Sequence, residues 1–234
     1  MEERLIRNLG ALSETECAAL RRKKVLIAGC GGLGGYLAEY LLRLGVGEIV
    51  AADGERFERS NLNRQLLCTE GTLGRSKAAA AAVRAAEIAP DAAFYGHVCR
   101  LDAQNLPGLL RGCDAALDAL DSAEDRKLLK AACDAQGVPY IFGAVGGWVA
   151  QAALSMPFDA LPALLYGADY AAEDKSVLAF TPALGAAMQA ALCVRFLCGR
   201  PVEPGRLYSF DLSTMDFGSV RLGPFDEAKE SDPA

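Results

Sequence analysis

The chain has 234 residues, 52% apolar and 23% charged, with a formal net charge of −6. That length can bury a core without staples, and the composition is that of an ordinary globular protein. The acidic balance argues against a nucleic-acid surface, which needs a basic face, and no uninterrupted apolar run reaches the length of a membrane span.

Residues 1–22 read as helical, with Ser13-Glu14-Thr15-Glu16 marking a fresh start of capping-box type. Lys24–Ala28 is a buried strand, Gly32–Leu44 a helix stopped by Gly45-Val46-Gly47, and Glu48–Asp53 a second strand. Residues 55–72 are polar and without strong period, and a loop of that length in a compact domain is usually functional or disordered. An alanine-rich helix over 77–89, a strand over 93–98, a short helix over 105–111, a strand over 115–120 ending at Asp121, a helix over 124–136 and a strand over 139–144 follow. This alternation predicts an α/β fold, a Rossmann-like doubly wound, mostly parallel sheet. The pattern then changes. Strands over 148–156 and 207–221, the latter with a turn near Ser213-Thr214, flank a loop over 159–179 and a helix over 182–197, which adds an antiparallel C-terminal extension. Residues 1–225 read as one domain and Asp226–Ala234 as a polar, disordered tail.

No secretory leader is visible. The eight cysteines are scattered, with no C-x-x-C, and read as reduced, mostly buried thiols of a cytoplasmic protein.

Gly29-Cys30-Gly31-Gly32-Leu33-Gly34-Gly35 links the first strand to its helix, and Asp53 closes the next strand nineteen positions after Gly34. Backbone N–H groups at a glycine-rich helix N-terminus attract phosphate, and an acid at that distance suits a ribose hydroxyl. Five glycines in seven residues make a turn used only for packing a poor explanation. An NAD oxidoreductase is the default owner of such a loop, but the Gly-Gly pair departs from it, and the lone histidine, His97, reads as structural.

A polar constellation leaves the same sheet edge: Ser60-Asn61-Leu62-Asn63-Arg64-Gln65, then Lys77 opening a helix, then Asp121-Ser122. Taken singly, each has a bland explanation as solvated surface or helix cap. Together they are what triphosphate chemistry needs: cations to offset phosphate charge and a carboxylate for Mg²⁺.

These residues resemble the HesA/MoeB/ThiF family, bacterial relatives of the ubiquitin-activating enzymes. The resemblance runs over roughly residues 1–222 through Arg4–Asn8, Val25–Gly35, Asp53, Ser60–Gln65, Gly74–Lys77, Asp118–Ser122 and Gly143–Gln151. It implies an adenylyltransferase that uses ATP and Mg²⁺ to adenylate the C-terminal glycine of a small β-grasp sulfur-carrier protein ending in Gly-Gly. It further implies that Gly29, Gly31, Gly32, Leu33 and Gly34 hold phosphate and that Asp53 holds the ribose. Asn61, Arg64, Gln65 and Lys77 would contact the triphosphate, with Ser60, Asn63 and Ser122 also lining the nucleotide, Asp121 would hold Mg²⁺, and Arg7 would reach the other subunit of a homodimer. The chain lacks the two C-x-x-C pairs that form a zinc site in such relatives, so no zinc is expected, and it departs further in having no cysteine between Cys133 and Cys193, where many relatives carry one for persulfide or thioester chemistry. The same departure implies an enzyme that stops at the acyl-adenylate while another protein delivers sulfur. Two alternatives remain: an ATP-dependent dehydratase acting on threonylcarbamoyladenosine in tRNA, and a nucleotide-binding subunit without turnover.

Overall fold

The computed structural model describes residues 2–159, 161, 165 and 176–222. The expected tail at 226–234 and most of the 159–179 loop lie outside them. Among the described residues, eight strands form one sheet in the order β3-β2-β1-β4-β5-β6-β7-β8. The strands are β1 Lys24–Ala28, β2 Glu48–Ala52, β3 Ala93–His97, β4 Ala115–Asp118, β5 Tyr140–Gly146, β6 Val149–Ser155, β7 Arg206–Asp211 and β8 Asp216–Arg221. β3 through β5 pair in parallel, and β5 through β8 pair antiparallel. The mixed sheet matches the architecture expected from the sequence.

The helices are α1 Glu14–Leu20, α2 Gly32–Leu44, α3 Lys77–Ile88, α4 Leu106–Leu110, α5 Ala123–Gln136 and α6 Phe180–Leu197. Two-residue alternation in β1 explains how they divide. Val25 and Ile27 join the core cluster beneath α1, α2, α3 and α6, while Leu26 and Ala28 face α4 and α5. Covering both faces is what a parallel sheet requires, and it explains why β1 reads as an unbroken apolar run.

The N-terminus has the helical character and the fresh start at Ser13 that were expected, but its first stretch is a 3-10 helix rather than an α-helix. A short 3-10 helix spans Glu3–Asn8, and α1 begins afresh at Ser13, whose side chain accepts the Glu16 N–H while the Glu16 carboxylate accepts the Ser13 N–H. That reciprocal cap outcompetes continuation of the first turn. The fourth strand also ends earlier than expected, at Asp118 rather than at Asp121. The cause is local: the Asp118 carboxylate accepts the Leu120 N–H at 3.0 Å and turns the chain out of the sheet.

Helix α6 is long and apolar enough to cross a membrane by length and composition alone, although the sequence offered no uninterrupted apolar run of that kind. Its apolar residues are spent elsewhere. Ala186, Ala190 and Cys193 are buried in the cluster that α2 and the sheet share, as expected of a core helix.

Candidate active site

The chain reverses its direction of winding between β1 and β4, which are neighbours in the sheet but are followed by helices on opposite faces. Ligands bind at such a switch point, outside the carboxyl ends of the strands. A cleft of about 740 Å³ opens there.

The glycine loop forms its floor. Gly29 has φ of +95°, and a Cβ at that position would lie 2.6 Å from the Ala119 carbonyl oxygen. The loop therefore lies directly against the turn after β4. A Cβ at Gly34 would come 1.9 Å from the Gly29 carbonyl oxygen, so the first turn of α2 closes back on the loop. Gly31 is the N-cap of α2 and supplies no side chain to satisfy the first N–H groups. An uncapped helix N-terminus beside a cleft is an anion site. Gly29, Gly31, Gly32 and Leu33 line the cleft, whereas Gly34 packs behind them.

Asp53, just past β2, is held by two backbone donors, Cys30 N–H and Glu55 N–H, each at 2.7 Å. Burial pushes its carboxyl upward against those hydrogen bonds and the nearby Lys77. The acid is thus tied to the glycine loop and faces the same cleft.

The loop over 55–72 is an ordered excursion. Its ends are zipped together by Phe57 N–H to Arg75 C=O and Lys77 N–H to Glu55 C=O, both at 3.0 Å. Ser76 caps α3 through the Ala79 N–H, which places Lys77 at the first helical position. The Lys77 side chain is only 6% exposed, and its ammonium pairs with Glu55 at 2.5 Å. Arg64 enters the cleft wall with its guanidinium braced by Ser60 C=O and the Asn63 side chain, both at 2.8 Å. Gln65 is buried, its Oε1 has no hydrogen-bond partner among the described residues, and its carboxamide faces Gly31. A buried acceptor of that kind at a cleft wall points to a missing partner.

The structure therefore brings together Gly29, Gly31, Gly32, Leu33, Asp53, Arg64, Gln65, Lys77 and Asp121 around one cleft. It leaves Ser60, Asn61, Asn63, Ser122 and Arg7 off the cleft wall. Asn61 is buried in the turn it stabilises, accepting the Glu58 N–H at 3.0 Å. Asn63 donates to the Val177 carbonyl at 3.1 Å, and Ser122 caps α5 through the Asp125 N–H. Arg7 is exposed on the 3-10 helix and is not part of the cleft. Asp121 is exposed at the cleft wall, three residues beyond the strand that was expected to end on it.

Several cleft residues were missed. Glu55 pairs with Lys77, and its position two residues past Asp53 at the same strand end was the available signal. Arg126 occupies the buried stripe of α5 that Leu129 and Cys133 continue, and a cation inside an apolar stripe was the clue. Cys99 and Arg100 follow β3 and carried no pattern that could have marked them. Cys99 alone of the eight cysteines lines the cleft. Cys30 is fully buried beside Asp53, and burial pushes its thiol far above the usual range. His97 is exposed on β3, away from this cleft.

A family model described as the ThiF family matches residues 3–231. The SAMP-activating enzyme E1 of Haloferax volcanii is 31% identical over 209 residues, 86% of this chain and 77% of that protein. The sulfur carrier protein ThiS adenylyltransferase of Bacillus subtilis is 32% identical over 213 residues, 86% of this chain and 62% of that one. Some relatives are much longer, and the chain spans 47% of the adenylyltransferase and sulfurtransferase MOCS3 of Drosophila grimshawi. In fold the chain is similar to E. coli MccB solved with ATP, at TM-score 0.76 and 19% identity over 89% of this chain and 66% of that one. With the family model matched along nearly its whole length, the chain belongs to the ThiF family.

Proposed function

We propose that the chain is an adenylyltransferase that activates the C-terminal glycine carboxylate of a small sulfur-carrier protein with ATP. The observation that carries this reading is the uncapped N-terminus of α2 opening into a cleft that also holds Asp53, Lys77, Arg64 and Asp121. Two of these relatives are named for activating SAMP and for adenylating the sulfur carrier protein ThiS, and that substrate class is the one carried over here.

In the reaction, a carboxylate oxygen of the carrier attacks the α-phosphorus of ATP. The bond to the bridging oxygen of the β-phosphate breaks, pyrophosphate leaves, and an acyl-adenylate remains. Attacker and target are both anionic, so the site has to offset charge before it can orient the groups in line. Helix α2 and its glycine loop supply backbone N–H groups to the phosphates. Lys77 and Arg64 supply full charges, and Lys77 leaves its pairing with Glu55 to do so. Asp53 accepts from the ribose hydroxyls. The Gln65 carboxamide, unpaired at the cleft wall, takes a ligand group. No general base is required, because the attacking carboxylate is already ionised.

The residues also fit a magnesium ion in their donor chemistry. Asp121 is an exposed carboxylate on the cleft wall, a hard oxygen ligand of the kind Mg²⁺ prefers. When bound, the ion would neutralise charge on the leaving pyrophosphate. The subunit contact through Arg7 and a homodimeric state belong to the same reading and rest on the family resemblance.

The test is ATP–pyrophosphate exchange with candidate carriers ending in Gly-Gly. Exchange should depend on the carrier and on Mg²⁺, and K77M should lower it by about 10²-fold or more, the scale of losing one charge-stabilising donor. Exchange that is absent with every carrier, alongside tRNA-stimulated ATP cleavage, would overturn the reading in favour of a tRNA-modifying enzyme.

A further inference from the structure

Behind the cleft wall, which Arg126 reaches, lies a buried polar network that takes no part in the adenylation steps. Asp118 is fully buried at the end of β4. Arg126, 6% exposed on the inward face of α5, pairs with it at 2.8 Å, and the Tyr140 hydroxyl donates to the same carboxylate. Burial pushes the Asp118 carboxyl upward, against the Arg126 charge and these hydrogen bonds. A lone carboxylate at this depth would be costly, and a buried pair is retained only where its remaining donors and acceptors are also satisfied.

Those remaining bonds have a particular target. Asp118 Oδ1 accepts the Leu120 N–H at 3.0 Å, and Arg126 donates to the Leu120 carbonyl. The pair therefore grips both polar ends of one residue, the one immediately before Asp121. Arg126 also donates to the Gly143 carbonyl on β5 at 2.7 Å, anchoring the grip to the sheet. On its other side the same turn abuts the glycine loop through Ala119.

We propose that Arg126 is a positioning residue: with Asp118 it fixes the Leu120 peptide and so sets where the Asp121 carboxylate stands relative to the glycine loop. The inference rests on the reading of Asp121 as the magnesium acid. Outer supports that orient a metal ligand change metal affinity by about 10–100-fold when removed, and this one acts through the backbone of the residue before Asp121.

R126K keeps the charge but loses the planar fork that reaches Asp118, Leu120 and Gly143 together. The experiment measures binding of a non-hydrolysable ATP analogue by calorimetry in a Mg²⁺ titration, with D121N in parallel. In R126K the metal-free affinity should stay within about twofold of wild type, while half-saturation by Mg²⁺ rises about tenfold. D121N should raise it at least as much. If D121N shifts the Mg²⁺ curve and R126K does not, the inference falls and the reading of Asp121 stands. If D121N leaves the curve unmoved, the reading of Asp121 falls and the inference with it. A loss in R126K that is equal with and without Mg²⁺ marks a purely structural role and also overturns the proposal. Should R126K not fold, D118N keeps the shape and the Leu120 acceptor while weakening the pair. It should then raise Mg²⁺ half-saturation about threefold, on the scale of one weakened charge-assisted bond, and an unmoved curve there would equally sink the proposal.

Discussion

The parallel half of the sheet and its antiparallel extension obey different constraints. In β1, Val25 through Ala28 are all fully buried, and Asp53, the glycine loop and the turn to Asp121 leave the carboxyl ends of this half. In β8, by contrast, all six residues are exposed, including Phe217 at 61% and Val220 at 52%. The cleft thus sits where backbone is held from both sides, and the edge hairpin carries none of it. Rigid support on two faces is what lets a loop approach a phosphate closely and repeatedly at one geometry.

That contrast can be broken by paired substitutions. The largest stability effect should come from L117A in β4, a fully buried side chain, at about 2–5 kcal/mol. V220A in β8 should stay within about 0.5 kcal/mol. Denaturant midpoints decide it, and comparable losses would mean that the hairpin is integral to the core. Next is G34A. Alanine normally favours a helix, but here its Cβ would lie 1.9 Å from the Gly29 carbonyl, so a loss of about 1–3 kcal/mol is expected, along with weakened nucleotide binding. G218A in β8 meets nothing within 4 Å and should be neutral or gain up to about 1 kcal/mol from the stiffer unfolded chain. Thermal melts with and without MgATP would read both.

The smallest effect concerns a link between the N-terminus and the end of α6. Arg200 pairs with Glu16 at 2.5 Å and also donates to the Ala11 carbonyl. The Arg200 hydrogen bond, aided by the Ser13 N–H, lowers the Glu16 carboxyl from its usual 4.5 to about 2. Because the folded value is depressed, the stabilisation is present above pH 4.5 and is lost as pH falls toward 2. The melting-temperature difference between wild type and E16Q should therefore shrink across that interval. The pair is exposed enough to be screened, so the difference should also fade in high salt. A difference that is constant with pH would rule the linkage out.

Much of the fold was legible because periodicity reports burial directly. The unbroken apolar β1, the alanine-rich α3 and the change of pattern after β5 each told where a side chain had to point. The places of Gly29–Gly35 between β1 and α2 and of Asp53 just past β2 were legible for the same local reason, since a glycine turn and a strand-end acid are short-range signals. The residues that escaped were those whose hydrogen-bond partners the linear pattern does not reveal. Asn61 and Asn63 read as ligand contacts by proximity to Arg64, yet Asn61 stabilises its own turn and Asn63 reaches Val177. Asp121 was placed at a strand end because nothing in the linear pattern distinguishes it from Asp118.

The sequence by itself determined a doubly wound sheet with a glycine-rich turn after its first strand, because hydrophobic period and glycine chemistry act within a few residues. Only the tertiary structure decided how the turn between the two acids after β4 is held. Asp118 is drawn inside by Arg126 and Tyr140, eight and twenty-two positions away, and Asp121 is thereby left at the open wall. A buried charge needs partners that the chain can supply only once it has folded, and those partners set the geometry of the exposed one.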